Sequence, residues 1–300
     1  METFKSAAAF SFCNINRWKK DLRVWLVLLF TLFIIIEYLK GYTIYGMAEG
    51  KKMTFCMLPI LFQTCDISLR APKVLWHTGF ILLLCDAPFL YQNTPYVIIR
   101  SGRKKWWIGE CMYIFEVAFI YMLFITITSS AVSLPIASFE NDWGEALTDF
   151  LYGTDTMTFE QLLGKYMLGL GEPARAVQML YPFACQAYTF FTGLASFFIL
   201  GLLIYLINLM QKNILWGLGT AFIFVFLDPL LYFSASSLKK YWLQAFSPVC
   251  WTSVECINIL GSRFFISIPF VTATSLIVIS VLIILIALSS RKIMVEVREG

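Results

Sequence analysis

Histidine occurs once in this 300-residue chain, and Asp, Glu, Lys and Arg together make up only 14% of it. A soluble protein of this length needs roughly 25% charge to cover its surface. The missing charge means that most of the outer surface faces lipid, and 59% hydrophobic residues with a mean hydropathy of +0.74 agree. One histidine, His77, cannot build an intramembrane metalloprotease site, which needs several metal ligands, and its position near the end of an apolar run reads as interfacial. There is no Walker A spacing, no GxGxxG and no zinc-type Cys/His cluster, so neither a nucleotide site nor a metal site is expected in this chain. The net charge of +4 sits in segments flanking apolar runs, which argues for membrane orientation and against nucleic acid as a partner. A cleavable signal peptide is not expected either, because residues 1–21 hold the polar, basic stretch Asn14 to Asp21 where an apolar core would stand.

What is present is a series of apolar runs. Six are long enough to cross a hydrocarbon core as helices: Leu22–Leu39, Val74–Tyr91, Trp107–Ser130, Phe183–Met210, Ile214–Phe233 and Ile268–Leu288. The fold class is therefore all-α, a single transmembrane domain over residues 1–300 with about six spans. Trp18, Trp25, Trp76, Trp106, Trp107 and Trp216 lie near run ends, where indole rings prefer the headgroup region. Gln211-Lys212-Asn213 leaves only a tight polar break between the fourth and fifth runs, which forces an antiparallel helical hairpin.

Orientation follows from Lys and Arg. With the N-terminus inside, residues 1–23, 92–106, 211–213 and 290–300 are inner and carry 13 of the 23 basic residues in 52 positions. The outer segments 40–73, 132–182 and 234–268 spread the other 10 over 120 positions. Positive charge stays on the cytoplasmic side, so both termini are expected inside, residues 1–21 as a cytoplasmic N-terminus and 290–300 as a cytoplasmic tail. Segment 40–73 is anomalous: Lys40, Lys51, Lys52, Arg70 and Lys73 make it more basic than an outer loop should be. Within it, Met53–Cys65 is apolar, broken by Pro59 and too short to span, and reads as an interfacial or re-entrant piece. Loop 132–182 is expected to be extracellular, acidic, and to carry two short amphipathic helices, because Phe139, Trp143 and Leu147 recur every four residues, as do Phe159, Leu163 and Met167. Thr158 and Gln161 have the spacing of a capping box.

Charges inside lipid cost at least about 2.5–3.5 kcal/mol at mid-helix, so each asks for a partner or a role. The intramembrane polar candidates are Asp86 beside Pro88, Glu116 about three turns into the third run, and Asp228 before Pro229 in the fifth. For Asp86 and Glu116 the plain reading is a buried carboxylate paired with a neighbouring arginine or hydroxyl; the sharper one is a proton or ion relay. No catalytic residue is expected. A serine protease would need a Ser beside the one histidine, and the two Asp that paired-aspartate chemistry would use, Asp86 and Asp228, lie at opposite depths. Cysteines are scattered and mostly act as small apolar fillers; Cys250 and Cys256 share one loop, and their spacing alone does not decide whether they pair.

The most informative stretch is Asp86-Ala87-Pro88-Phe89 followed by Tyr96-Val97-Ile98-Ile99-Arg100-Ser101-Gly102-Arg103-Lys104-Lys105-Trp106-Trp107. A helix leaves the membrane at a proline, an apolar and aromatic strip follows, and a basic cluster stands where the chain returns. An anchor for anionic headgroups would satisfy this pattern unaided. The arrangement also resembles the permease subunits of ATP-binding-cassette (ABC) exporters of the second type, particularly the permease-like family common in Gram-positive bacteria. The resemblance implies six spans with both termini inside, and helical elements on the outer face between the last two spans. It implies a coupling segment formed here by Tyr96, Ile99, Arg100, Ser101, Gly102, Arg103, Lys104, Lys105 and Trp106, docked on a separate ATP-binding subunit. ATP and Mg would then reside on that partner and no cofactor on this chain. A second permease copy or paralogue would complete a dimer in the bacterial cytoplasmic membrane, among membrane lipids, moving a substrate of peptide or lipid-like kind. The long loop 132–182 departs from the plainest members of that class. A secondary transporter or channel, and a non-transporting immunity or sensor subunit, are the alternative readings.

Overall fold

The computed structural model describes residues 2–63, 72–87, 102–154, 156–167, 180–211, 213–237, 241–257 and 266–296, and they are mostly helical. The long elements are α1 (Glu2–Arg17), α2 (Leu22–Glu49), α4 (Pro72–Leu83), α5 (Arg103–Ser133), α8 (Pro182–Gln211), α9 (Ile214–Ser237) and α10 (Ile268–Glu296), with short helices α3 (Leu58–Leu61), α6 (Glu145–Tyr152) and α7 (Phe159–Leu162) between them. Two strands of two residues, β1 (Met53–Thr54) and β2 (Ala137–Ser138), form a parallel pair.

Among the described residues, four helical stretches are long and apolar enough to cross a membrane: Leu22–Glu49, Arg103–Ile136, Pro182–Gln211 and Ile268–Ser290. The fifth predicted run is helical over Ile214–Ser237, with its apolar part shorter, Leu215–Leu231. The second differs most from expectation. Its helix α4 covers 12 residues and gives way to a turn through Leu84–Ala87, about 18 Å of helix against a hydrocarbon thickness of about 30 Å. Residues 88–91 of that run lie outside the described residues.

α2 carries the kind of apolar outer face that suggests a lipid surrounding. Asp21 caps its start by accepting from the Arg23 amide at 3.0 Å, and Gly50, at φ 67°, ends it in the left-handed conformation that glycine adopts without strain. Between these caps Val24, Val27, Ile35, Leu39 and Tyr42 are buried, yet the opposite face is Leu22, Trp25, Leu26, Leu29, Phe30 and Phe33, all exposed. A helix in water would put polar residues there.

α5 packs on α1, α2 and α8, and α8 is the most enclosed of the spanning candidates. Close approach depends on Gly201, where a Cβ would sit 2.4 Å from Ile114 Cγ2. Around it Phe80 stacks on Phe197 with ring centroids 4.8 Å apart, and Tyr121 packs on the same ring. The α8–α9 hairpin is tied by Asn208: its Oδ1 accepts from the Gly217 amide at 2.7 Å and its Nδ2 donates to Ala87 O at 2.7 Å.

The segment read as interfacial or re-entrant is a buried plug. Of residues 53–63 all but Phe55 are buried. Its irregular backbone is served by protein: Thr54 N donates to Trp143 O, Cys56 N to Thr54 Oγ1, Leu58 N to Gln186 Oε1, and Leu61 O accepts from Trp76 Nε1 at 2.9 Å. Non-helical backbone at membrane depth is tolerated only when enclosed in this way.

In segment 132–182 the first amphipathic helix starts later than the four-residue spacing predicts. Phe139 lies before it and is exposed, while α6 buries Ala146, Leu147, Phe150 and Leu151. Gly144, at φ 81°, passes so close to Lys52 and Met53 that a Cβ there would lie 2.5 Å from Lys52 O, and this sharp bend delays the helix. The capping box forms: Thr158 N donates to Gln161 Oε1 at 3.0 Å and Gln161 N to Thr158 Oγ1 at 3.4 Å. A π-helical turn over Leu163–Met167 follows α7.

Candidate functional site

Of the three predicted intramembrane carboxylates, only Asp228 is fully buried, and its partner was not anticipated. Lys73, at the start of α4, places Nζ 2.8 Å from Asp228 Oδ2, and neither side chain has any exposure. Lys73 Nζ also donates to Ser253 Oγ at 3.2 Å, and Ser253 Oγ donates to Phe62 O at 2.7 Å. The other carboxylate oxygen accepts from Ser247 Oγ at 2.6 Å, while Ser247 Oγ accepts from the Cys250 amide at 3.1 Å. One ion pair therefore ties together α4, α9, the plug and the short 3₁₀ helices Tyr241–Phe246, Cys250–Thr252 and Val254–Cys256.

His77 stands one turn further along α4. Its Nδ1 donates to Lys73 O at 2.6 Å, which leaves Nε2 to accept from Ser196 Oγ of α8 at 2.9 Å. His77 is fully buried and not interfacial, because rings from Phe62 and Phe197 enclose it. The Ser196–His77 contact has the geometry of a nucleophile beside a base. Ser196 is 1% exposed and sits inside α8, whose amides are spent on helical bonds, so this conformation offers neither access nor oxyanion donors. The contact acts as a bond between helices.

Cys250 and Cys256 lie beside the ion pair with sulfurs 2.7 Å apart, both buried. Burial pushes the Cys250 thiol well above its ordinary range, so it is held neutral.

The structure does not gather the other predicted residues here. Asp86 is exposed and pairs with Arg23 at 2.6 Å, at the opposite end of α4 from Lys73. Glu116 is half-buried and accepts from Ser11 Oγ of α1 at 2.5 Å. Each has the arginine or hydroxyl partner of the plain reading, but neither is the buried carboxylate that reading expected: Asp86 is exposed and Glu116 only half-buried. Of the coupling segment, Tyr96, Ile99, Arg100 and Ser101 lie outside the described residues. Gly102, Arg103 and Lys104 are exposed at the head of α5, Lys105 is half-buried, and Trp106 is buried against Tyr205. Lys73, Ser196, Ser247 and Ser253 were missed as members of this site, and His77 was read as interfacial. For Lys73 a signal existed: it is one of the five basic residues that made segment 40–73 too positive for an outer loop.

Among the described residues no group of three or more His, Cys, Asp or Glu is placed to hold a metal. Four described helices long and apolar enough to cross a membrane, with a buried ion pair packed among the helices and the 241–257 segment, mark the class of helical membrane proteins. Compared with family models, curated proteins and solved structures, the chain matches none.

Proposed function

We propose that this chain is the membrane-spanning permease subunit of an ABC exporter, driven by a separate ATP-binding subunit. The observation that carries the reading is α4 itself. One end holds Lys73 in the buried ion pair, and the other runs through Asp86 toward the basic segment that ends at exposed Gly102, Arg103 and Lys104. A partner pressing on Tyr96–Lys105 would move a short helix whose far end is fixed by one ion pair, and sealed contacts of this kind switch between discrete arrangements. Short helical elements between α9 and α10 also fit the plan that the sequence resembles. A cavity of about 230 Å³ bounded by Ile199, Phe224, Phe246, Trp251, Val278 and Leu282 suits the apolar part of a peptide or lipid-like cargo.

In this reading six spans cross the bacterial cytoplasmic membrane with both termini inside, and two permease copies or paralogues share the path. Nothing is catalysed on this chain; ATP and Mg are bound by the partner.

The test is purification at native expression, where an ATP-binding chain should come down at fixed stoichiometry. Tyr96→Ala with Ile99→Ala separates docking from lipid anchoring, because both alternatives use the basic residues but only docking buries these two side chains. The double variant should insert normally and lose the partner, a cost on the order of 2–4 kcal/mol of association if they act as hot spots. Retention of the partner at wild-type stoichiometry would reject the docking assignment. The buried Lys73–Asp228 pair also suits a secondary transporter, and substrate movement by the purified chain without any ATPase would establish that instead.

A further inference from the structure

A second buried polar group lies near the head of α5, away from the ion pair. Glu110 is fully buried; neither of its carboxylate oxygens is within full hydrogen-bonding distance of a donor, although the Trp106 indole lies close enough to interact with it. Trp106, one turn earlier on the same face, is 3% exposed with an unpartnered Nε1, and Tyr205 of α8 is fully buried with an unpartnered hydroxyl. The Trp106 and Tyr205 rings are 6.3 Å apart. Helix α1 closes the site from outside: Gly109 lets it approach until a Cβ there would lie 3.2 Å from Ala7 O, Trp18 Nε1 donates to Tyr113 at 2.8 Å, and Ser11 bonds Glu116. Buried Asn14 of the same helix also has an unpartnered Nδ2. Native interiors leave few such groups orphaned; four of them around one helix crossing mark a place where something binds.

We infer that Glu110, Trp106 and Tyr205 form an internal proton-binding site beneath α1. The ligand is a proton from bulk water: the carboxylate takes it up to give a neutral carboxyl and returns it to water, with no other bond made or broken. Trp106 N–H and Tyr205 O–H are the donors that the same cluster would offer to the carboxylate form. The ionisable groups in electrostatic reach of Glu110 include Arg17 at the end of α1, Tyr205 of α8 and Cys111 on α5 itself. Protonation of Glu110 removes one of the attractions on Arg17, which is carried by the helix that covers the site, so proton uptake and the seating of α1 are linked, in both directions. The inference holds whether or not the chain is a permease.

Acid-minus-base infrared difference spectroscopy of the purified full chain reads the proton directly. A carboxyl carbonyl band should titrate in the wild type, vanish in Glu110→Gln and persist in Glu116→Gln. Tyr205→Phe removes a donor to the carboxylate, so it should keep the band and raise its midpoint by about one pH unit, tenfold in proton affinity. This variant tests the site even if Glu110→Gln fails to fold. A wild type with no titrating carboxyl band, a band unchanged in Glu110→Gln, or a midpoint unmoved in Tyr205→Phe would each overturn the assignment.

Discussion

Lys73 and Asp228 are a pair whose two members do not have separable energies. Both are stripped of water, and each is compensated by the other and by Ser253 or Ser247. Removing one charge leaves the other buried and uncompensated, which costs about 3–5 kcal/mol, whereas replacing both with apolar groups of similar size is often neutral. Lys73→Met and Asp228→Leu should each lower the unfolding temperature in detergent sharply, and the double variant should recover most of the loss. Equal and additive losses would mean that the two charges do not compensate each other. Asp228 was legible as an expensive charge inside an apolar run. Lys73 was not, because a lysine just before a span looks like an ordinary loop residue, and only contact across the chain, here between positions 73 and 228, reveals the carboxylate that holds it. Glu110 escaped for a related reason. It lies two turns from Arg103, where a glutamate reads as interfacial, and its burial is imposed by α1, whose docking on α5 no local pattern announces.

At the scale of elements, strong periodicity was readable and packing against distant segments was not. The long apolar helices, the Thr158 capping box and the α8–α9 break follow from local signals. The plug at 53–63 was recognisable as too short to span, but its enclosure depends on Trp143, Gln186, Trp76 and Ser253, each from a different part of the chain. The contact of this end of α2 with α6 yields a pH prediction. Lys51 Nζ lies 2.6 Å from Asp149 Oδ2, and this hydrogen bond, outweighing partial burial, raises the lysine above its ordinary range. A group with a raised folded-state pKa adds stability that is complete below the unfolded value and disappears as pH rises through the folded one. The difference in melting temperature between wild type and Lys51→Met should therefore hold steady through neutral pH and shrink only above about pH 10.4, the free-lysine value. A difference already lost by pH 8, or unchanged through the alkaline range, would exclude this pair as its source.

The whole molecule bears on orientation through the same lysines. Counted as sequence, segment 40–73 carries five basic residues and weakens the argument for placing it outside. In the folded chain Lys40 pairs with Glu37, Lys51 with Asp149 and Lys73 with Asp228. Three of the five are thus committed to carboxylates of the protein, one of them inside the bundle, and cannot serve as headgroup anchors. Lys104 is exposed at the head of α5, where a basic cluster can meet anionic lipid or an acidic partner. Relieving the anomaly favours the arrangement in which both termini and the head of α5 face the cytoplasm and α6 faces out. Single cysteines introduced at Glu145 and at Arg298, each in a background with the eight native cysteines replaced, make the test direct. A membrane-impermeant maleimide added to intact cells should label position 145 and spare 298 until the membrane is permeabilised. Labelling of 298 from outside would reverse the tail, and labelling of both from outside would require an even number of crossings between them. Either result would remove the plan of six spans with both termini inside and, with it, the side of the membrane on which an ATP-binding partner has to dock.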